Sequence, residues 1–226
     1  MAYFTRGTFD FLRDLAENND RDWFSEHRDR YDTQVKEPAQ SFILAIGEEL
    51  DRISPHLRAD PRPVGGSLFR IHRDVRFSKD KSPYKTHTGI QFRHSAGKDA
   101  HAPGLYLHIE PRNCFIGMGT WRPAGPVLKR IRTALVERPD EWISATRRPE
   151  FTQRLELGGD SLSRGPRGFD RDHPLADDLK RKDFIAVRTV PQSFFTGKNL
   201  VEETLALAER GRPLLAFLCD ALEIPF

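Results

Sequence analysis

RIHRDVRFSKDKSPYKTHTG, residues 70–89, carries the reading of the whole chain. It holds six Lys or Arg residues against two acids, Asp74 and Asp80, a local charge of 6 − 2 = +4. The 226-residue chain carries +3 in all, so everything outside this stretch sums to about −1. With Phe69 placed in front, FRIHRDVRF alternates Phe69, Ile71, Val75 and Phe77 with Arg70, His72, Asp74 and Arg76, and Arg73 is the one exception. Successive strand side chains point to opposite faces, so the pattern predicts a half-buried strand that displays a row of Arg, His, Asp and Arg. Ser, Asp and Pro in SKDKSPYKTH end it and leave Lys79, Lys81 and Lys85 on or beside a turn. Residues 86–93 then return as a second strand with Thr88, Ile90 and Phe92 on one face. The predicted unit is a long-loop hairpin with a basic loop at one end of a sheet.

Outward from this stretch, the chain sorts into blocks. Residues 8–54 are helical. Thr8 or Asp10 caps a first helix with Phe11, Leu12 and Leu15 inward, and Asp20 caps a second through Trp23, Phe24, His27, Tyr31 and Val35. Glu37-Pro38 is expected to break that run before a third helix through Phe42, Ile43, Ile46 and Leu50. Residues 66–121 are β-rich. GLYLHIE, residues 104–110, alternates Leu105, Leu107 and Ile109 with Tyr106, His108 and Glu110. NCFIGMGTW, residues 113–121, follows a turn at Pro111-Arg112-Asn113. Gly117 and Gly119 share a strand face and permit close approach, by a packed helix as the commoner cause or by a ligand.

Residues 122–226 mix helices with one strand at 183–190, a brief strand near 151–157 and two C-terminal helices. Asp172 is expected to cap a helix with Pro174 in its first turn. Strand and helix blocks are segregated, which predicts a single α+β domain over residues 1–226, with helices packed on one face of an antiparallel meander.

Composition bounds the function. A 38% hydrophobic, 31% charged chain with 16 Phe residues has ample core material and no apolar run near membrane-spanning length. The N-terminal MAYFTRGTFDF lacks a signal-peptide pattern. The two cysteines, Cys114 and Cys219, show no metal spacing, and a reduced, cytoplasmic protein is expected. GxSxG, GxxxxGK[ST] and GxGxxG are all absent.

The excess of cations in the central stretch predicts a site for a small phosphorylated or carboxylated ligand. Arg70, Arg73, Arg76, Lys79, Lys81, Tyr84 and Lys85 would supply contacts, joined by Arg167 from the basic loop RGPRGFDRDHP. His72 beside Asp74 is the candidate pair for proton transfer, an imidazole oriented by a carboxylate. The bland alternative is a surface ion-pair network of Arg70, Asp74, Arg76, Asp80 and Lys81, which needs no ligand. A metal site would require His72 and Asp74 to meet His108, Glu110 and His87; no HExxH helix or Cys pair supports it, so no metal is assigned and the cofactor stays open. The runner-up is a non-enzymatic module for RNA or an acidic protein, using Tyr84, Phe77, Tyr106 and Trp121 for stacking. Oligomeric state is not legible.

Four motifs carry a resemblance: FLRDLAENNDRDWF, RIHRDVRFSKDKSPYKT, GMGTWRP and RGPRGFDRDHP. Together they span residues 11–174, and the chain resembles the family grouped as domain of unknown function 2461, of bacteria and fungi. Trp121 stands where that family commonly has Tyr. The resemblance implies a shared fold and no catalytic residue.

Overall fold

The structure, a computed structural model, describes residues 2–97 and 102–226. Helices α1 (Arg6–Glu17), α2 (Arg21–Glu26) and α3 (Arg28–Tyr31), a π-helical turn (Asp32–Lys36), α4 (Glu37–Gly47) and a 3-10 turn (Leu50–Arg52) come first. The strands β1 (Leu57–Arg58), β2 (Thr88–His94), β3 (Gly104–Ile109) and β4 (Cys114–Thr120) follow. Then come α5 (Gly125–Glu137), α6 (Pro139–Thr146), α7 (Pro149–Thr152), β5 (Glu156–Gly158), α8 (Ala176–Leu179), β6 (Phe184–Val190), α9 (Gln192–Phe195) and α10 (Leu200–Ala221). Among the described residues the strands form one sheet in the order β1-β2-β3-β4-β6-β5, antiparallel throughout. The protein is α+β, as the segregated blocks predict.

Alternation decides the core. Ile90 and Phe92 of β2, Leu105, Leu107 and Ile109 of β3, Ile116 and Met118 of β4, and Phe184 and Ala186 of β6 lie on one face and are buried. Helix α10 packs on this face over β4 and touches α4, α5, α6 and α7. No helix among the described residues is long and apolar enough to cross a membrane.

Several local expectations need correction. The first helix is capped one turn earlier, at Thr5, while Asp20 does cap α2 by accepting from the Trp23 amide at 2.9 Å. Pro38 does not break the helical run. It sits in the first turn of α4, directly after the π turn, and the Gln34 carbonyl four residues before it accepts from the Thr8 hydroxyl at 2.7 Å instead. The C-terminal pair is one helix of 22 residues with Pro213 inside it. Both halves bury residues, Leu205 and Ala208 before the proline and Leu214 and Leu218 after it, so shared packing outweighs a local penalty of about 3 kcal/mol. Asp172 caps no helix; α8 starts later, behind Leu175.

The main correction concerns residues 69–77, which form no regular strand. Leu68 bridges Ile90 and His72 bridges Tyr84, as isolated rungs. The ribbon does run antiparallel to residues 83–91, with Phe69 N–H donating to Gly89 O at 2.9 Å and Arg73 N–H to Pro83 O at 2.9 Å. Pro83 has no N–H to return. Further out, side chains capture the amides instead: Asp74 accepts from Arg76 at 3.3 Å and Asp80 from Ser82 at 2.9 Å. Such local acceptors compete with a ladder. The outer face of Tyr84 is closed by Asn19, which donates to its carbonyl and accepts from its amide, each at 3.0 Å.

A Cβ on Gly119 (φ 123°) would lie 2.1 Å from the Phe184 carbonyl oxygen, whereas one on Gly117 meets only ordinary contacts at 3.8 and 3.9 Å. Gly119→Ala should therefore lower Tm by several degrees, a cost of about 2 kcal/mol or more, while Gly117→Ala should leave it unchanged or higher. Differential scanning calorimetry checks the pair; equal Tm values would contradict the β4–β6 geometry. Separately, His94 accepts from the Ala96 amide on Nδ1 at 3.0 Å and places Nε2 2.7 Å from Pro225 O. Burial holds its pKa below the usual 6.5, against the pull of the Pro225 carbonyl and with a push from His56 and Arg58. Its contribution to stability is complete above about pH 6.5 and is lost as pH falls, because the unfolded chain takes up the proton first. His94→Gln should lose less Tm between pH 7 and pH 5 than the parent does.

Candidate functional site

Among the described residues, no helix lines the centre of the second face of the sheet. Register puts Gly89 and Gln91 of β2 beside His108 and Tyr106 of β3, and those beside Phe115 and Gly117 of β4. Val187 and Ile185 of β6 lie next to Gly117 and Gly119. A cleft of about 470 Å³ opens over them. Gly117 and Gly119 lie in its floor, and the missing side chain of Gly117 deepens it. Phe69, Tyr106, Phe115 and Trp121 wall it, and Lys85, His87 and His108 stand among its lining. Gly117 thus lies under a cleft and not under a packed helix, while the missing side chain of Gly119 makes room for the Phe184 carbonyl of β6.

The central stretch contributes one wall. The Leu68–Ile90 rung sends Leu68 to the core, so Phe69 emerges on the cleft side, its ring 5.8 Å from that of Tyr106. Phe69 is therefore not the core residue its alternation suggests. Lys85 lies 5.6 Å over the Phe69 ring and donates to the Arg70 carbonyl at 2.6 Å. Burial, with a smaller push from Arg70, lowers its pKa.

At one end of the cleft the polar groups converge. His108 is only 8% exposed; it meets the Tyr106 hydroxyl at Nδ1 (3.0 Å) and Glu110 Oε2 at Nε2 (3.1 Å), and its ring stacks on Phe115 at 4.6 Å. Asn113 donates to Glu110 at 2.7 Å. The His87 ring lies 4.4 Å from that of His108. Burial pushes His87 down to about 4, helped by His108 and Lys85 and opposed by Glu110. Burial also lowers His108, against Glu110. Glu110 resists ionisation through burial, but its bonds from Asn113 and His108 prevail and its pKa is lowered. Burial, followed by Glu110, raises the Tyr106 phenol to about 12. Burial thus favours the neutral form of both imidazoles, and His108 is held at both nitrogens.

The residues singled out by sequence lie elsewhere or are engaged. Asp74 holds Arg76 through two bonds, at 2.9 and 2.7 Å, and the Arg76 guanidinium draws its pKa down to about 2. His72, exposed, makes no bond to Asp74; burial and then Arg28 and Arg70 lower its pKa. The oriented imidazole is His108, not His72. Arg73 pairs with Asp80, and Lys81 donates to the Val75 carbonyl at 2.9 Å. Tyr84 is 6% exposed and stacks on Phe24, so it belongs to the core. Phe77, given an inward position by alternation, is 95% exposed. Arg167 is exposed and forms no ion pair with the central stretch. The two acids are taken by Arg73 and Arg76, so Arg70, Lys79, Lys81 and Lys85 have no carboxylate partner among the described residues. Part of the ion-pair alternative is present, and a positive field of four cations remains.

Sequence reasoning missed Phe115, Gln91, Ile185 and Val187 as cleft residues. The signal for Phe115 was available: a tight turn at Pro111-Arg112-Asn113 pairs His108 with Phe115 and Tyr106 with Gly117. The β6 residues carried none, because the β4–β6 pairing spans a long insertion.

Among curated proteins and among solved structures, nothing matches this chain. One family model matches residues 7–217 of the 226-residue chain, described as conserved hypothetical protein (DUF2461). The chain belongs to this family, the domain of unknown function 2461.

Proposed function

We propose that this protein binds a small ligand with a flat or apolar body and an anionic group in the cleft on the open sheet face. The carrying observation is the glycine-floored cleft of about 470 Å³ with aromatic walls and with Lys85, His87 and His108 in its lining. That volume suits a drug-sized or smaller metabolite, and a mostly apolar lining with few convergent polar groups is the usual form of such sites. The body lies over Gly117 against Tyr106, Phe115 and Trp121. The phosphate or carboxylate meets Lys85, in the field of the other cations lacking an acid partner. If chemistry follows binding, His108 is the group prepared for proton transfer, since Tyr106 and Glu110 fix its ring. The reading is of a cytoplasmic protein, supported by the buried, unbridged Cys114 and Cys219.

A second reading, a module for RNA, is favoured by two exposed aromatic–arginine pairs, Arg76 over Phe77 at 5.8 Å and Arg122 over Trp121 at 4.7 Å. Trp121 is 47% exposed. Stacking platforms beside cations suit single strands.

A thermal-shift screen with aromatic carboxylates, nucleoside and sugar phosphates and short RNA separates the two. A small anion should raise Tm. Lys85→Gln should weaken that ligand by about 10–100-fold, the usual worth of a hydrogen bond to a charged group. Gly117→Val should abolish binding, because the first added carbon meets only ordinary contacts and the side chain beyond it occupies the floor of the cleft. Retained affinity in Gly117→Val would overturn the cleft reading. A response to RNA alone, with a steep log–log salt dependence, would replace it with the second.

A further inference from the structure

We propose that His87, His108 and Glu110 form a three-ligand site for a divalent first-row transition ion at the end of the cleft. Candidate donor atoms of the three residues all lie within 4.8 Å of one another. Donors on an ion at about 2.0–2.2 Å stand roughly 3.3–3.5 Å apart in a tetrahedron, so small side-chain rotations close the set. Two imidazoles and one carboxylate form a donor set typical of Zn²⁺ and Fe²⁺ sites that keep open positions.

The surroundings fit ligands rather than a simple polar network. His108 meets Tyr106 at Nδ1, which leaves Nε2, now on Glu110, as its metal-facing nitrogen. Asn113 and Thr86 hold the two oxygens of Glu110, at 2.7 and 3.4 Å. Bonds of this kind orient metal ligands from outside. A purely structural network explains the His108–Glu110 bond but not His87. That ring is half-buried, lies 4.4 Å from His108 and has no hydrogen-bond partner among the described residues. Sequence position supplies the reason for the convergence. Thr88 pairs with Ile109, so the next position outward brings His87 toward Glu110.

Both imidazoles line the cleft, so the open coordination positions face it. They would take a water or the anionic group of a bound molecule, and a bound ion would polarise that group as a Lewis acid. Lys85, in the same lining as both imidazoles, would share the anion. The assignment shares the cleft with the proposed ligand but does not depend on it.

The test is calorimetric titration of Zn²⁺ into full-length protein stripped with a chelator, with Co²⁺ visible absorption as a second readout. One equivalent of Zn²⁺ should bind, and Co²⁺ should give d–d bands of a low-symmetry histidine site. His87→Ala and Glu110→Gln should each weaken Zn²⁺ by at least about 100-fold, and Asn113→Ala by about 10–100-fold. His56→Ala, whose ring stacks on His94 outside the cleft, should change nothing. Should His87→Ala fail to fold, the near-isosteric Glu110→Gln reads the same loss. Absence of stoichiometric Zn²⁺ binding, or binding indifferent to both ligand variants, would overturn the proposal. Zn²⁺ binding with no response to small anions would leave the metal site standing and sink the ligand reading; the converse would do the opposite.

Discussion

The pairing of β3 with β4 is the constraint on which the rest of the molecule depends. With Tyr106 opposite Gly117 and His108 opposite Phe115, the aliphatic residues Leu105, Leu107, Ile116 and Met118 fall together under the helices. The same register sends aromatic, histidine and glycine positions to the other face. A slip of one residue would exchange the two sets, burying Tyr106 and His108 under α10 and exposing the core. Core and cleft are therefore two consequences of one set of backbone hydrogen bonds.

The central basic stretch takes its meaning from this sheet. It adds an irregular edge beside β2 rather than a further strand, because Pro83 and the Asp74 and Asp80 side chains remove the amides a ladder would need. Its hydrophobic Phe69 closes the cleft, and its Lys85 brings a partly buried cation to the rim. Arg76 with Asp74 and Arg73 with Asp80 form pairs that contribute little to stability, while Arg70, Lys79 and Lys81 have no carboxylate partner among the described residues. The stretch thus works as a wall that carries charge, with its tip, around Phe77 to Asp80, turned to solvent.

Much of this was legible in the sequence and some was not, for physical reasons. Period-two alternation in β2, β3 and β4 identified the strands, the buried aliphatic face and the shared face of Gly117 and Gly119. It could not say which face the helices cover, since that depends on α10, some ninety residues downstream. Hence the glycines read as a helix contact and Phe69 as core. The same alternation in residues 69–77 misled, because it records side-chain burial and not hydrogen bonding. His72 and Asp74 lie two residues apart and make no bond to each other; Asp74 holds Arg76 instead. His108 and Glu110, with the same spacing, were brought together by a regular strand and joined by His87 through the hairpin register. The two-residue spacing was common to both; only the surrounding ladder distinguished them.

The central claim is that the open sheet face, rather than the tip of the basic loop, is the surface that receives ligands. Amide chemical-shift mapping of the ¹⁵N-labelled protein against a set of small aromatic carboxylates and phosphates tests it directly. The account predicts saturable shifts centred on Tyr106, His108, Gly117 and Gly119, with Lys85 and His87 at the margin. Shifts confined to residues 76–82, or none along β3 and β4, would contradict it.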